Sequence, residues 1–202
     1  MSAATLLTIP NILTLLRILL IPVLVALTYT PFVWRFWAAA AVFLVAAITD
    51  WFDGYLARTL NQTSAFGRFL DPVADKLMVA AALVILVQWH SNNALMVISA
   101  VIIISREITI SALREWMAQI GASKSVAVNF LGKLKTTFQM IAIPLLLFND
   151  SLLGIVDASV LGAWLIYVAA VLTLWSMFYY MKLAWPQIRE RSGLSGEATA
   201  QK

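Results

Sequence analysis

The chain has 202 residues, of which 62% are hydrophobic and 12% charged, with a mean hydropathy of +0.88 and a formal net charge of +4. A soluble domain is about half apolar, so this composition excludes an ordinary soluble protein. The length leaves no room for a large soluble domain beside roughly six spanning helices of about 20 residues each. The absence of cysteine excludes disulfides and thiol chemistry, and the modest basic balance fits orientation in a membrane, with no nucleic-acid partner.

Apolar runs at 10–30, 33–57, 69–89, 94–113, 126–148 and 158–184 are each near spanning length. Lipid admits such runs only as helices, because every backbone polar group must bond within the segment. The expected fold is therefore an all-α integral membrane protein with six transmembrane helices over 1–186, followed by a polar tail over 187–202. Met1 to Pro10 lacks a basic leader and Arg17 interrupts the first apolar run, so that segment is expected to stay as an anchor. The gap around Pro31 carries only Arg35. The gap at His90-Ser91-Asn92-Asn93 carries no lysine or arginine, and that from Asn149 to Asp157 carries only the acids Asp150 and Asp157. Arg58, Arg68, Arg106, Arg114, Lys124, Lys133, Lys135, Arg189 and Arg191 all fall on the other side. The positive-inside rule then places both termini and the loops after the second and fourth helices in the cytoplasm. His90, the single histidine, sits in a far-side loop and is not expected to be catalytic. Trp34, Trp37, Trp89, Trp164 and Trp185 near helix ends read as interfacial belt residues.

Four aspartates interrupt this apolar pattern. Asp50 and Asp53 are three apart near the end of the second helix, and Asp71 and Asp75 are four apart at the start of the third. Each pair shares a helix face, and the short connection makes the two helices antiparallel neighbours, so all four carboxylates can converge near the cytoplasmic surface. Pro72 is easily housed in a first turn but disturbs a helix already under way. Four unpaired carboxylates so close would repel, and Arg58 and Lys76 offset only part of that charge. One or two hard divalent cations are the better solution, magnesium or manganese, which take oxygen ligands and work with phosphates. Gly54, Ala57 and Gly67 remove bulk beside the acids, which serves either ligand approach or tight helix packing. Asn11, Thr14 and Arg17 recur every three residues in the first segment. Asn11 and Thr14 either edge a ligand site or mark an interfacial helix, whereas Arg17, inside the apolar run, needs a buried partner such as a carboxylate or phosphate.

The aspartates with their neighbours, Asp50, Asp53, Gly54, Ala57, Arg58, Gly67, Asp71 and Asp75, match every fixed position of the pattern D-x2-D-G-x2-A-R-x8-G-x3-D-x3-D. In this the chain resembles the CDP-alcohol phosphatidyltransferase family. The stretches Ile9 to Arg17, Gly67 to Lys76, Ser105-Arg106-Glu107, Leu113-Arg114-Glu115 and Leu131 to Thr136 are similar to its phosphatidylglycerophosphate synthase branch. The resemblance thus covers nearly the whole chain and is weakest in the tail.

That resemblance implies the six-helix fold of the family, a homodimer in the bacterial cytoplasmic membrane, a cytoplasm-facing site and a pair of divalent metals. It implies transfer of a phosphatidyl group from CDP-diacylglycerol to sn-glycerol 3-phosphate, with CMP released. Asp50, Asp53, Asp71 and Asp75 would hold magnesium, and Asp75 would also be the general base. Gly54, Ala57, Arg58 and Gly67, with Asn11, Thr14 and Arg17, would bind CDP-diacylglycerol, although Arg58 also reads as a plain membrane anchor. A phosphorylated acceptor needs further cations, and Arg106, Arg114, Lys133 and Lys135 are the candidates; each is also readable as a snorkelling interface charge, Arg106 least so because it ends a long apolar run and lies deepest. The competing readings are the same chemistry on phosphatidylglycerol, inositol or serine, and a divalent-cation transporter. The crowding of the acids on one side argues against the transporter.

Overall fold

The computed structural model describes residues 8–59, 64–119, 130–152 and 156–191. Six helices follow in chain order: α1 (Ile9–Thr28), α2 (Arg35–Thr59), α3 (Ala65–Trp89), α4 (Ala94–Gln119), α5 (Phe130–Phe148) and α6 (Ala158–Arg191). Between α5 and α6 two strands of two residues each, β1 (Ser151–Leu152) and β2 (Val156–Asp157), pair antiparallel as a hairpin in the register Ser151 to Asp157. Asn149, at a φ of 47°, turns the chain out of α5 toward it. The hairpin is the one departure from an all-helical chain among the described residues.

Among the described residues, four helices are long and apolar enough to cross a membrane: α1, residues 35–53 of α2, α4, and residues 158–186 of α6. At 1.5 Å per residue the 20 residues of α1 reach about 30 Å, the thickness of a hydrocarbon core. The 34-residue α6 is longer, continuing through Pro186 to Arg191. The remaining helices carry charge: α3 bears Asp71, Asp75 and Lys76, and α5 bears Lys133 and Lys135.

Helix boundaries follow local chemistry. Pro10 sits in the first turn of α1, where its missing N–H is harmless. α3 begins at Ala65, ahead of the apolar run that starts at 69, because Ser64 caps it and accepts the Gly67 N–H at 2.8 Å. Asp71 and Pro72 therefore lie in the second turn and not at the helix start, and α3 continues through the proline. Asn93 accepts the Met96 N–H at 3.3 Å at the start of α4 and donates to the Tyr167 hydroxyl of α6 at 2.8 Å.

α1 packs against α2 and α3, α2 against α5, and α4 against α3 and α6, while α5 runs along α6. The core between them is rich in small side chains, Ala39, Ala40, Ala46, Ala82, Ala100, Ala142 and Ala170, interleaved with Phe43, Leu83, Leu86, Ile103 and Ile143. Large apolar residues such as Val33, Val84, Ile108, Val171, Trp175 and Phe178 point outward, as lipid-facing side chains do. The ends of α2, α4 and α6 and the starts of α1, α3 and α5 meet at one end of the bundle, the end that carries most of the basic residues.

Candidate active site

Asn11, Thr14 and Arg17 form one face of α1, and all three are buried against α2 and α3. Asn11 binds the α3 cap: its Nδ2 donates to Ser64 Oγ at 3.0 Å, and Ser64 Oγ lies 3.1 Å from Asn11 Oδ1. A Cβ on Gly67 would collide with Asn11 Oδ1 and come within 3.1 Å of Ser64 Oγ. Gly67 is thus the position that lets α1 close on the first turn of α3. The Thr14 hydroxyl is 2.5 Å from Asp71 Oδ1 and 3.4 Å from Asp53 Oδ2, with the Pro10 carbonyl at 3.1 Å.

Arg17 is the centre of the carboxylate cluster. Its Nη1 donates to Asp75 Oδ1 and lies 3.0 Å from Asp50 Oδ1, and its Nη2 donates to Asp53 Oδ2. One guanidinium from α1 therefore holds carboxylates from both α2 and α3, and Thr14 brings in Asp71. The four acids converge as their spacing predicts. They differ in access: the Asp53 side chain is 4% exposed, whereas those of Asp50 and Asp75 are 44% and 40% exposed.

One arginine against four carboxylates leaves an excess of negative charge at the edge of an apolar core, which calls for further cations. Oxygen donors of this kind fit a hard divalent ion. Among the described residues no three acids surround a common point at ligand spacing, because the Arg17 guanidinium already sits where they meet. The donor chemistry fits a metal, and Arg17 plays the part of a cation within the cluster.

Two cavities open from these acids. The first, about 490 Å³, is lined by Asp50, Asp75, Lys76, Arg106, Glu107, Arg114 and Gln139. The second, about 340 Å³, is lined by Phe43, Ala46, Ala47, Met78, Val79 and Met140 together with Arg17, and it too reaches Asp50 and Asp75. Asp50 and Asp75 thus stand between a charged chamber and an apolar one.

On the charged side, Glu107 of α4 gathers two cations. Arg106 Nη1 donates to Glu107 Oε1 at 3.1 Å, and Lys135 of α5 donates to the same oxygen. Lys135 is buried behind Glu107, outside the lining of the chamber. Arg106 and Arg114 line it together. Lys133 lies apart, exposed beside a shallow groove on α5. Gly54, Ala57 and Arg58 follow Asp53 in the last turns of α2, and the side chains of Ala57 and Arg58 lie outside what is described.

Other residues of the site carry weaker sequence signals. Gln139 is one turn beyond Lys135 on α5, and Thr173, Ser176 and Tyr180 form a buried stripe at helical spacing on α6. Polar groups recurring every three or four residues in an apolar run mark such a face, and that signal was available in the sequence.

Comparison with known proteins identifies the family. The family model described as CDP-alcohol phosphatidyltransferase matches residues 7–175. Proteins named CDP-diacylglycerol--glycerol-3-phosphate 3-phosphatidyltransferase in Salmonella choleraesuis (strain SC-B67) and Escherichia coli (strain K12) are each 51% identical over 176 residues, covering 87% of this chain and 94% of theirs. With the motif, the converging acids and a match over most of its length, the chain belongs to the CDP-alcohol phosphatidyltransferase family.

Proposed function

We propose that this protein transfers the phosphatidyl group of CDP-diacylglycerol to sn-glycerol 3-phosphate, releasing phosphatidylglycerol phosphate and CMP. The observation that carries the reading is that Asp50 and Asp75 line both chambers at once. A phosphorus joined to a lipid on one side and attacked by a charged, water-soluble acceptor on the other needs such a junction.

The apolar chamber, walled by Phe43, Ala46, Ala47 and Met140, takes the diacylglycerol end of the donor. The charged chamber takes the acceptor, its phosphate directed to Arg106 and Arg114 and its hydroxyl to Asp75. Asp75 accepts the hydroxyl proton, the acceptor oxygen bonds to the lipid-bearing phosphorus, and the bond to the CMP phosphate breaks with its electron pair leaving on CMP. Glu107, held by Lys135, keeps Arg106 in place. Gly54, Ala57 and Arg58 border the nucleotide. Asp50, Asp53, Asp71 and Asp75 would hold two magnesium ions, or manganese, and a bound pair of this kind neutralises pyrophosphate and stabilises the leaving group. Such transfers draw most of their acceleration from positioning and charge neutralisation.

The distribution of lysine and arginine supports a cytoplasm-facing site; spanning by α3 and α5 beside the four apolar helices, a bacterial inner membrane and a homodimer are what the family resemblance implies. Beyond the acids the core at Ala39, Leu83, Leu86 and Leu147 is apolar, which offers no cation a path across. Asp75→Asn tests the assignment. Turnover is expected to fall by about 100-fold to 10,000-fold while CDP-diacylglycerol still binds, and unchanged turnover would remove Asp75 as the base.

A further inference from the structure

Arg106 and Arg114 carry like charges eight residues apart on α4, about 12 Å of helical rise. Both guanidinium carbons lie over a single ring. Arg106 Cζ is 5.8 Å and Arg114 Cζ 5.6 Å from the centroid of Tyr180, which comes from α6. Tyr180 is fully buried and packed with Ile110, Leu113, Met117 and Ala184. Four residues earlier on α6, Ser176 Oγ accepts from Arg106 Nη2 at 3.3 Å and donates to the Thr173 carbonyl at 2.9 Å.

The chemistry of these supports is informative. A carboxylate between the two arginines would fix them but cancel their charge. An aromatic face attracts cations within about 6 Å through its quadrupole and leaves that charge intact. The Nε atoms of both arginines are buried with no hydrogen-bond partner among the described residues, beside the chamber that both line. Arg106 keeps its ion pair with Glu107 through Nη1, and α6 thus holds the two cations side by side without adding a countercharge of its own.

We propose that Tyr180 and Ser176 are positioning residues that hold Arg106 and Arg114 as a two-armed clamp for the acceptor phosphate, and so set the preference for a phosphorylated acceptor over a neutral polyol. The inference rests on the acceptor chamber of the proposed function. The ring sets the separation of the arms, and the serine hydroxyl sets the rotation of the Arg106 arm.

The test compares kcat and KM for sn-glycerol 3-phosphate and for CDP-diacylglycerol in Tyr180→Phe, Tyr180→Leu, Ser176→Ala, Arg106→Ala and Arg114→Ala. Tyr180→Leu is expected to raise the acceptor KM about tenfold with the donor KM unchanged, whereas Tyr180→Phe stays within about twofold of wild type. Ser176→Ala is expected to raise the acceptor KM about threefold and, leaving the core intact, carries the test if Tyr180→Leu does not fold. If Arg106→Ala and Arg114→Ala raise the acceptor KM but Tyr180→Leu and Ser176→Ala do not, the clamp is overturned and the acceptor chamber stands. If neither arginine variant moves it, the chamber itself is wrong. Equal losses in Tyr180→Phe and Tyr180→Leu would assign the effect to the hydroxyl and overturn the role of the ring.

Discussion

Arg17 connects three acids from two helices while itself only 1% exposed. Its position in an apolar run made a buried partner a necessity, and the partners are the carboxylates of the site. Removing the cation takes from buried Asp53 its guanidinium partner and leaves Asp50 and Asp75 repelling each other. Arg17→Met should therefore lower stability by about 3 kcal/mol, the low end for a broken buried pair because two of the acids are partly solvated. Thermal unfolding in detergent would show it, and added magnesium should restore part of the loss by neutralising the same acids. An unchanged midpoint would mean that the acids are stabilised by something other than this guanidinium. Among the four downstream cations the residue scale separates roles that composition alone does not. Arg106 and Arg114 face the chamber, Lys135 anchors Glu107, and Lys133 lies on an exposed face.

At the scale of elements, the site depends on how closely helices approach. Gly162 of α6 allows the contact with α5, since a Cβ there would sit 2.8 Å from Leu146 Cγ and 3.0 Å from the Ala142 carbonyl. Gly162→Val should force α5 and α6 apart and destabilise the protein by about 1–3 kcal/mol. Melting of the purified variant would measure that directly. The other end of α6 chemistry is its start. Asp157 accepts the Ser159 and Val160 N–H groups at 2.8 and 3.3 Å and the Ser159 hydroxyl at 2.7 Å. The Ser159 hydroxyl and then these backbone donors hold its carboxyl below the ordinary 3.8. A depressed folded-state value means that the capping contribution is present above the unfolded value and is lost as pH falls through the folded one. Asp157→Asn should therefore flatten the acid limb of a pH-dependent melting series below about pH 4 relative to wild type, with little change near neutrality.

The whole molecule is a bundle whose outer surface is apolar and whose charges gather at one end, around the junction of two chambers. Much of this was legible in the chain. Asp50 and Asp53 at i, i+3 and Asp71 and Asp75 at i, i+4 had to share faces, and a short connection had to bring those faces together. The start of α3 was not legible, because the apolar run begins only at 69, after Gly67 and Arg68. What makes them helical is the Ser64 cap held by Asn11 from a distant part of the chain. For the same reason Asn11 and Thr14 stayed ambiguous between ligand edge and interface until packing buried them against α3 and the acids. For Tyr180 and Ser176 the spacing with Thr173 marks one face of an apolar run, but it does not tell which helix or which charges that face meets. The hairpin at 151–157 involves too few residues to leave a pattern.

In the proposed reaction a metal-assisted junction joins a nucleotide-activated lipid to a phosphorylated acceptor. Release of CMP from CDP-diacylglycerol by the purified protein tests it most directly, with sn-glycerol 3-phosphate, phosphatidylglycerol, inositol and serine offered one at a time, with and without magnesium. CMP should be released with sn-glycerol 3-phosphate and magnesium, with no release when the metal is chelated and no comparable release with the other acceptors. Equal turnover without metal, or a faster reaction with an acceptor that carries no phosphate, would contradict it.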